Sequence, residues 1–496
     1  MKLSQILLQI KTTFQTLANI ESIKVSSIET DSRKCQKNSI FFALKNGEHF
    51  IADALKNGAA CVIIDDKSSF FESKNSPDKF CTIRVLNIFQ VLIDFLKLFY
   101  SPLPTNIYAI TGTNGKTSTA EFTRQILEII GKKSASIGTI GVVCNHKIKG
   151  LQDFSLTTPD IVSLYKNLQI LQKNGVENVA IEVSSIGLHQ SRVAGLKIGV
   201  GAFTNFTQDH LDYHQSMDEY FKCKMILFES VLPSGSCAVL NSDIEEFAQI
   251  KKICEEKKHR IVEYGYKARD LRLQKIEPCD LGQKVFFEFG QKEYCFELSS
   301  NGEFQALNAL CALGGVLAKN NLSPSEMQNL FKNFHQLQSA PGRMQLVARL
   351  ENQARVFIDF AHSSDALKNV LVLARKITKA RVLVLFGCGG NRDVKKRPLM
   401  GKIACELADL VIVSDDNPRQ ENAAEIRAQI LQNCDMSKTI EIAGRELAIK
   451  KAIELLESQD VCILAGKGHE KYQIIGEEKF EFDEEKIVKN VVAKTS

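Results

Sequence analysis

The chain has 496 residues, 44% hydrophobic and 24% charged, and its 63 basic against 58 acidic side chains leave a net charge of +5; that length exceeds one core and suits about three domains. The charge excess is too small and too dispersed to argue for nucleic acid, and no Lys- or Arg-rich block supplies a basic arm. No run of about 18 apolar residues marks a membrane span, and Met1 to Ile10 lacks the apolar core and small-residue cleavage site of a signal peptide.

Residues 1–104 alternate short strands (39–44, 60–64) with helices (52–57, ended by Gly58, and an amphipathic 88–100 interrupted by Gln90, Asp94 and Lys97). Polar turns at Asp31-Ser-Arg33 and at residues 45–50 are places where a ligand could sit. Ser101-Pro-Leu-Pro104 reads as a stiff linker. Residues 105–336 repeat β-α-β with apolar strands at 107–110, 178–183, 199–204 and 237–241, the pattern of a doubly wound sheet. After a second proline-marked hinge at Ser339-Ala-Pro-Gly342, residues 337–496 alternate again: strands at 355–360, 382–386, 410–414 and 461–465, and a helix at 364–377. Three α/β domains (1–104, 105–336, 337–496) are expected. The fourteen cysteines are scattered without a Cys-x-x-Cys pair and read as small buried hydrophobes in a reducing, cytoplasmic compartment.

The middle domain is organised around Thr111-Gly-Thr-Asn-Gly-Lys-Thr117. An apolar run precedes it, and Phe122, Ile126, Leu127 and Ile130 follow at helical spacing. Strand, glycine turn and helix in that order make a phosphate-binding loop. Backbone N–H groups and the helix N-terminus face the anion, Lys116 offsets charge, and the Thr117 hydroxyl can reach Mg²⁺. The strict pattern has glycine where this chain has Ile110.

Other strand ends carry chemistry of their own. Glu182 closes an apolar strand and suits a Mg²⁺ ligand. Asn205 follows the next strand, and Asp209, His210 and Asp212 crowd behind it. Tyr220 and Lys224 share a helix face by their i, i+4 spacing, which alone does not place Lys224 in a pocket. In the last domain, residues 386–393 with Arg392, Ser414-Asp-Asp-Asn-Pro-Arg419 and Gly466-Lys-Gly-His-Glu470 each follow a strand. Converging, they would set Arg392 and Arg419 to take carboxylates and Glu470 to take an ammonium.

These motifs, with Pro341-Gly-Arg343 and Asp359-Phe-Ala-His362, resemble the Mur ligases of peptidoglycan synthesis, in family order from about residue 30 to 485. The resemblance implies a central P-loop ATPase sheet flanked by a UDP-substrate domain and a Rossmann-like C-terminal domain. It implies ATP held by Gly112, Thr113, Asn114, Gly115, Lys116, Thr117 and Ser118, with Asn308, Arg343 and Asp359 closing over the nucleotide. Mg²⁺ would sit on Thr117, Glu182 and His210, and Lys224 matches a lysine that relatives carbamylate to N6-carboxylysine. Lys116, His210 and Lys224 would be the catalytic groups. Ser32, Thr157, Thr158, Ser184, Gln190 and Arg192 match the site for a UDP-muramoyl dipeptide. Arg392, Asp416, Asn417, Pro418, Arg419, Gly466 and Glu470 match the site for the incoming amino acid.

The Asp416-Asn-Pro-Arg419 form is associated with meso-diaminopimelate, whose second carboxylate would pair with Arg419; lysine would leave that arginine unpaired. The implied reaction forms an acyl phosphate from ATP and then an amide. A monomer, without nucleic-acid or membrane partners, is expected. Departures from the family pattern fall at Gln305, Gln345, Ser364, Asn391 and Gly444. The rival readings are a ligase using L-lysine, a folylpolyglutamate-type ligase, and a P-loop switch NTPase, which would hydrolyse nucleotide without any acceptor.

Overall fold

The structure, a computed structural model, describes residues 1–10, 13–16, 20–67, 81–211, 213–279 and 282–495. Asp212, expected in the site, lies outside them. Three principal sheets follow one another along the chain.

The first has five strands in the order Phe14–Gln15, Cys81–Val85, Ala59–Asp65, Ser39–Phe42, Ser27–Glu29, parallel except at the first pair. Helix Ile88–Phe99 forms as its apolar spacing demands, capped by Asn87 accepting from the Gln90 N–H. It buries Val91, Leu92, Ile93, Phe95 and Leu96. That face does not close a core of its own. One continuous apolar cluster joins it to Tyr165, Leu168 and Val193 of the following sheet's helices and loops. The expected linker at 101–104 therefore separates two sheets that share a core. Gln169 ties it down by donating to the carbonyls of Phe99 and Ser101.

The central sheet has ten strands. From one edge they run Lys292–Leu298, Gly282–Phe289, Leu271–Cys279, Arg260–Gly265, Cys237–Asn241, Ile198–Phe203, Asn106–Thr111, Asn178–Glu182, Ser134–Gly138 and Gly141–Cys144. The seven from Leu271–Cys279 to Ser134–Gly138 are parallel, as the sequence pattern implies. Both edges carry antiparallel additions absent from the sequence reading: Gly282–Phe289 and Lys292–Leu298, which complete a ribbon over Leu271–Leu298, and the strand Gly141–Cys144. Helix Lys116–Ile129 leaves the phosphate loop and packs against helix Glu303–Lys319.

The third sheet orders its strands Gln345–Arg349, Arg355–Asp359, Val461–Ala465, Val382–Phe386, Leu410–Val413, Thr439–Glu441. Apolar clusters cover both of its faces. Its strand order reverses between Val382–Phe386 and Val461–Ala465, and a ligand crevice opens at the carboxyl ends beside such a switch. A separate hairpin, Tyr472–Ile475 with Glu478–Glu481, was not foreseen. Among the described residues no helix is long and apolar enough to cross a membrane, and most of the cysteines are buried.

Candidate functional site

The phosphate loop forms where the sequence places it. Gly112 and Gly115 take φ of +139° and +83°, in the left-handed region that favours glycine. A Cβ on Gly112 would overlap Thr204 Oγ1, and one on Gly115 would overlap the Asn308 side-chain amide. Asn205, just beyond its strand, braces the loop: its backbone oxygen accepts from Thr113 N at 2.9 Å and its Oδ1 from Asn114 N at 2.8 Å. Ile110, where the strict pattern has glycine, is buried in the apolar core under the loop.

Lys116 is folded back onto its own loop, donating to the carbonyls of Gly112 at 2.9 Å and Thr113 at 2.6 Å. Burial lowers its pKa, against the pull of Glu182 and Asp209. Glu182, 1% exposed, accepts from Thr117 Oγ1 at 2.9 Å and from Thr139 N at 2.8 Å. Burial raises its pKa, opposed by Lys116 and these hydrogen bonds. Its space exists because position 138 is glycine, where any Cβ would overlap the carboxylate. A buried carboxylate and a threonine hydroxyl side by side at a helix N-terminus form an oxygen-donor pair of the kind Mg²⁺ takes.

Lys224 is buried beside this loop, a placement the sequence spacing left open. Its Nζ donates to the Gly112 carbonyl at 2.8 Å and lies 4.3 Å from the Tyr220 ring centroid. Tyr220 in turn donates to Thr113 Oγ1 at 3.2 Å. Burial and then Lys116 drive the Lys224 pKa well below its usual value. His210, at φ +54°, lies 3.6 Å from Asp209 Oδ2 and packs edge-on to Tyr220. Among the described residues no cluster of three or more His, Cys, Asp and Glu draws to metal-holding range. Thr117 and Glu182 thus meet directly, whereas His210 and Lys224 approach through Tyr220.

Five of the residues expected for the UDP-substrate form one network around Glu182, and Ser32 lies outside it. Thr158 Oγ1 donates to the Glu182 carbonyl at 3.0 Å and accepts from Ser184 N at 2.9 Å. Ser184 caps helix Ser185–His189. Arg192 donates to the Thr158 carbonyl at 2.7 Å and to Gln190 Oε1, and Thr157 meets Thr139 at 3.3 Å. Ser32 is buried in a turn of the first sheet, and Lys34 of that turn pairs with Asp160 at 3.1 Å.

From the third sheet, Arg343 reaches across to Thr117 Oγ1 at 3.4 Å while its guanidinium covers the Phe360 ring. Next to it, His469 packs on the same Phe360 ring at 5.1 Å between centroids, and Gly342 of Arg343's loop presses on the Gly468–His469 backbone so closely that a Cβ would overlap it. Asp359 turns inward, accepting from the N–H groups of Met344 and Ala361, and so braces Arg343's loop from below. Asn308 contacts Thr119 and Gly115.

The three strand-end loops of this sheet do converge. Gly387 and Gly390 press so closely on the backbone of Ser414 and Pro418 that a Cβ on either would overlap a carbonyl oxygen. Gly390 N donates to the Asn417 carbonyl at 2.9 Å. Arg419, at φ +51°, donates to the Gly390 carbonyl at 2.9 Å. Asp416 is buried against Gly466, and Glu470 accepts from Asn417 Nδ2 at 2.8 Å. Arg392 stands apart: it is exposed, with a 3.5 Å contact to the Asn391 carbonyl. Sequence reasoning missed Arg397. It is fully buried, bonded to Glu421, Gln429 and the Gly389 carbonyl, and underpins the glycine loop.

Comparison with known proteins agrees with this layout. The Mur ligase middle domain profile matches residues 110–316, and the profile for the Mur ligase glutamate ligase domain matches 342–468. A Rickettsia bellii protein named UDP-N-acetylmuramoyl-L-alanyl-D-glutamate–2,6-diaminopimelate ligase is 41% identical over 474 residues, covering 94% of this chain and 96% of its own. A Brucella melitensis protein of the same name is 39% identical, covering 96% and 95%. A solved structure under that name matches with a TM-score of 0.67 and 28% identity over 98% of both chains. Mycobacterium tuberculosis folylpolyglutamate synthase complexed with ADP shares the fold at a TM-score of 0.61 and 16% identity, over 76% of this chain and 90% of its own. With three sheets in family order, a phosphate loop met by an arginine from the third sheet, and near-complete alignment to these relatives, the chain belongs to the Mur ligase family.

Proposed function

We propose that this chain is the ATP-dependent ligase that joins meso-2,6-diaminopimelate to UDP-N-acetylmuramoyl-L-alanyl-D-glutamate in peptidoglycan precursor synthesis. One observation carries the reading beyond its relatives' names. Arg343 touching Thr117, on a loop whose Gly342 presses against Gly468 and His469, makes the phosphate loop and the amino-acid loops open onto a single seam. A reaction needing ATP, a carboxylate and an amine in one dry place fits that arrangement.

In this reading the network around Thr157, Thr158, Ser184, Gln190 and Arg192, with Ser32, holds the UDP-muramoyl dipeptide. It presents the D-glutamyl γ-carboxylate to the phosphate loop. The carboxylate oxygen attacks the γ-phosphorus of ATP in line, the bond to the ADP oxygen breaks, and an acyl phosphate forms; Lys116 and Arg343 offset the charge that develops. Mg²⁺, when bound, supplies further charge neutralisation, and Thr117, Glu182 and His210 are the residues that would hold it. Burial lowers the Lys224 pKa and so favours its uncharged amine, the form that adds to carbon dioxide with loss of a proton; the resulting N6-carboxylysine would add an oxygen donor beside Gly112. Asn308 and Asp359 hold the nucleotide side of the seam in shape.

The amine of the incoming amino acid then attacks the acyl carbon, phosphate leaves, and the amide forms. Arg419 and Arg392 take the distal carboxylate, while Asp416, Asn417, Pro418, Gly466 and Glu470 shape the pocket around the distal ammonium. The test is phosphate release from ATP and Mg²⁺ with the UDP-muramoyl dipeptide, comparing meso-diaminopimelate, L-lysine and no amino acid. Tripeptide with diaminopimelate alone is the expected result. Tripeptide with lysine would keep the ligase and remove the role given to Arg419, and hydrolysis indifferent to acceptor would indicate a switch NTPase.

A further inference from the structure

The amino-acid loops enclose a charged group that the reaction scheme does not use. Lys467 has no exposed side-chain surface, and burial lowers its pKa against the pull of Asp416 and Glu470. The charged groups facing it are Asp416, Glu470, Glu484 and Arg445. Its closest ion pair, Glu470 Oε2, is 3.6 Å away, and the rings of Tyr472 and Phe482 stand 6.0 and 5.8 Å from its Nζ. For stability alone such a buried cation is a poor choice, because an apolar side chain of similar volume avoids its desolvation cost.

What Lys467 does hold firmly is Asn417, whose Oδ1 it reaches at 3.0 Å. Ile474 N donates to the same Oδ1 at 3.0 Å. Two donors fix which end of the amide is oxygen, so Nδ2 must face the other way, where it meets Glu470 Oε2 at 2.8 Å. Asn417 also carries the Gly390 N–H on its carbonyl. The hairpin is stitched to the same turn, with Arg419 N donating to the Ile474 carbonyl and Gly476 N to the Arg419 carbonyl. One amide therefore links Lys467, the hairpin and the carboxylate of Glu470.

We propose that Lys467 is a positioning residue that sets selectivity for the second ammonium of the incoming diamino acid, by fixing Asn417 and through it Glu470. The inference rests on the ligase reading above and deepens it. Without the lysine, the Asn417 amide loses one of the two donors that orient it, and Glu470 loses a neighbouring positive charge. The carboxylate then no longer waits in one place for a cation. The distal carboxylate, held by the arginines, is untouched.

The experiment compares meso-diaminopimelate with 2-aminopimelate, which keeps both carboxylates and lacks the distal amine, in the full-length enzyme and in Lys467→Met. In the variant, kcat/KM for diaminopimelate relative to 2-aminopimelate should fall by about tenfold or more, through KM for diaminopimelate, while KM for ATP and for the UDP-muramoyl dipeptide stay within about twofold. If Lys467→Met does not fold, Lys467→Gln takes its place. It keeps a donor for Asn417 without the charge and should show a smaller fall in the same ratio. An unchanged ratio in a folded variant overturns the assignment, as does a parallel rise in all three KM values. Failure of the unaltered enzyme to use diaminopimelate would instead overturn the ligase reading and this one with it.

Discussion

The two seams of this molecule are built from different materials. Between the first and central sheets one apolar cluster runs without a break. Ile93 and Tyr165 close on Gly195 so tightly that a Cβ on the glycine would overlap both. Lys166 pairs with a buried Glu29 at 2.8 Å. Between the central and third sheets the apolar clusters are separate. Hydrogen bonds join them, Arg343 to Thr117 and Gln125 with Gln338 at 3.1 and 2.9 Å, and Leu373 packs on Gly302 beside these. A cleft of about 1250 Å³ lies along this seam, with Glu121 and Glu128 on one wall and Arg349, Arg355 and Lys376 on the other. Apolar seams resist parting and polar ones exchange with water at little cost. The first sheet is thus fixed to the sheet that carries the phosphate loop, while the third is held to it by contacts that cost less to part.

The largest effect should come from cutting into the welded seam. Ile93→Ala should cost about 3 kcal/mol of unfolding free energy, read by denaturant titration, with kcat of the folded enzyme little changed. A loss of activity without a loss of stability would show that this seam also moves. At the polar seam the expectation reverses. Arg343→Ala should lower kcat by about 30-fold or more while the thermal midpoint shifts by no more than about 2 °C, checked by steady-state kinetics beside calorimetry.

Acidification probes the same contact with a smaller lever. Burial, then Arg343, push the His469 pKa from 6.5 down to about 4. A depressed folded pKa means that the separated state binds the proton more readily. Stability of the contact is therefore full above about 6.5 and is lost as pH falls toward 4. Activity at pH 5 relative to pH 7.5 should drop several-fold more in the unaltered enzyme than in His469→Gln, as read from kcat/KM profiles. The smallest change tests a departure from the family pattern. Gln345 accepts from Gly342 N and donates to Glu485 at 3.2 Å. Gln345→Glu, the usual family residue, would replace that hydrogen bond with like charges and should cost about 0.5–1 kcal/mol, measured by thermal unfolding.

Much of this was legible in the sequence wherever local pattern and strand ends coincide. The phosphate loop, Glu182 at its strand end and the three loops of the last sheet all lie where apolar periodicity places them. Lys224 was legible as a helix position but not as a buried one, because burial depends on Gly112 arriving from another strand. The ribbon over Leu271–Leu298 was missed since its outer strands alternate with many charged residues and carry no strong apolar run. The hairpin at Tyr472–Glu481 escaped because its strands are only four residues each, and with it went the route by which Lys467 and Ile474 orient Asn417. Such coupling joins residues some fifty positions apart, and no spacing rule reaches that far.

The wall that Gly387 and Gly390 make against Ser414 and Pro418 has a consequence for inhibition. That part of the pocket is main chain pressed on main chain, with no room for a Cβ on either glycine. A compound anchored to those backbone groups would touch atoms that every amino acid possesses. Escape by substitution at these two positions would require pushing the Asp416–Arg419 turn out of place, and resistance there would come at the expense of the enzyme's own selectivity.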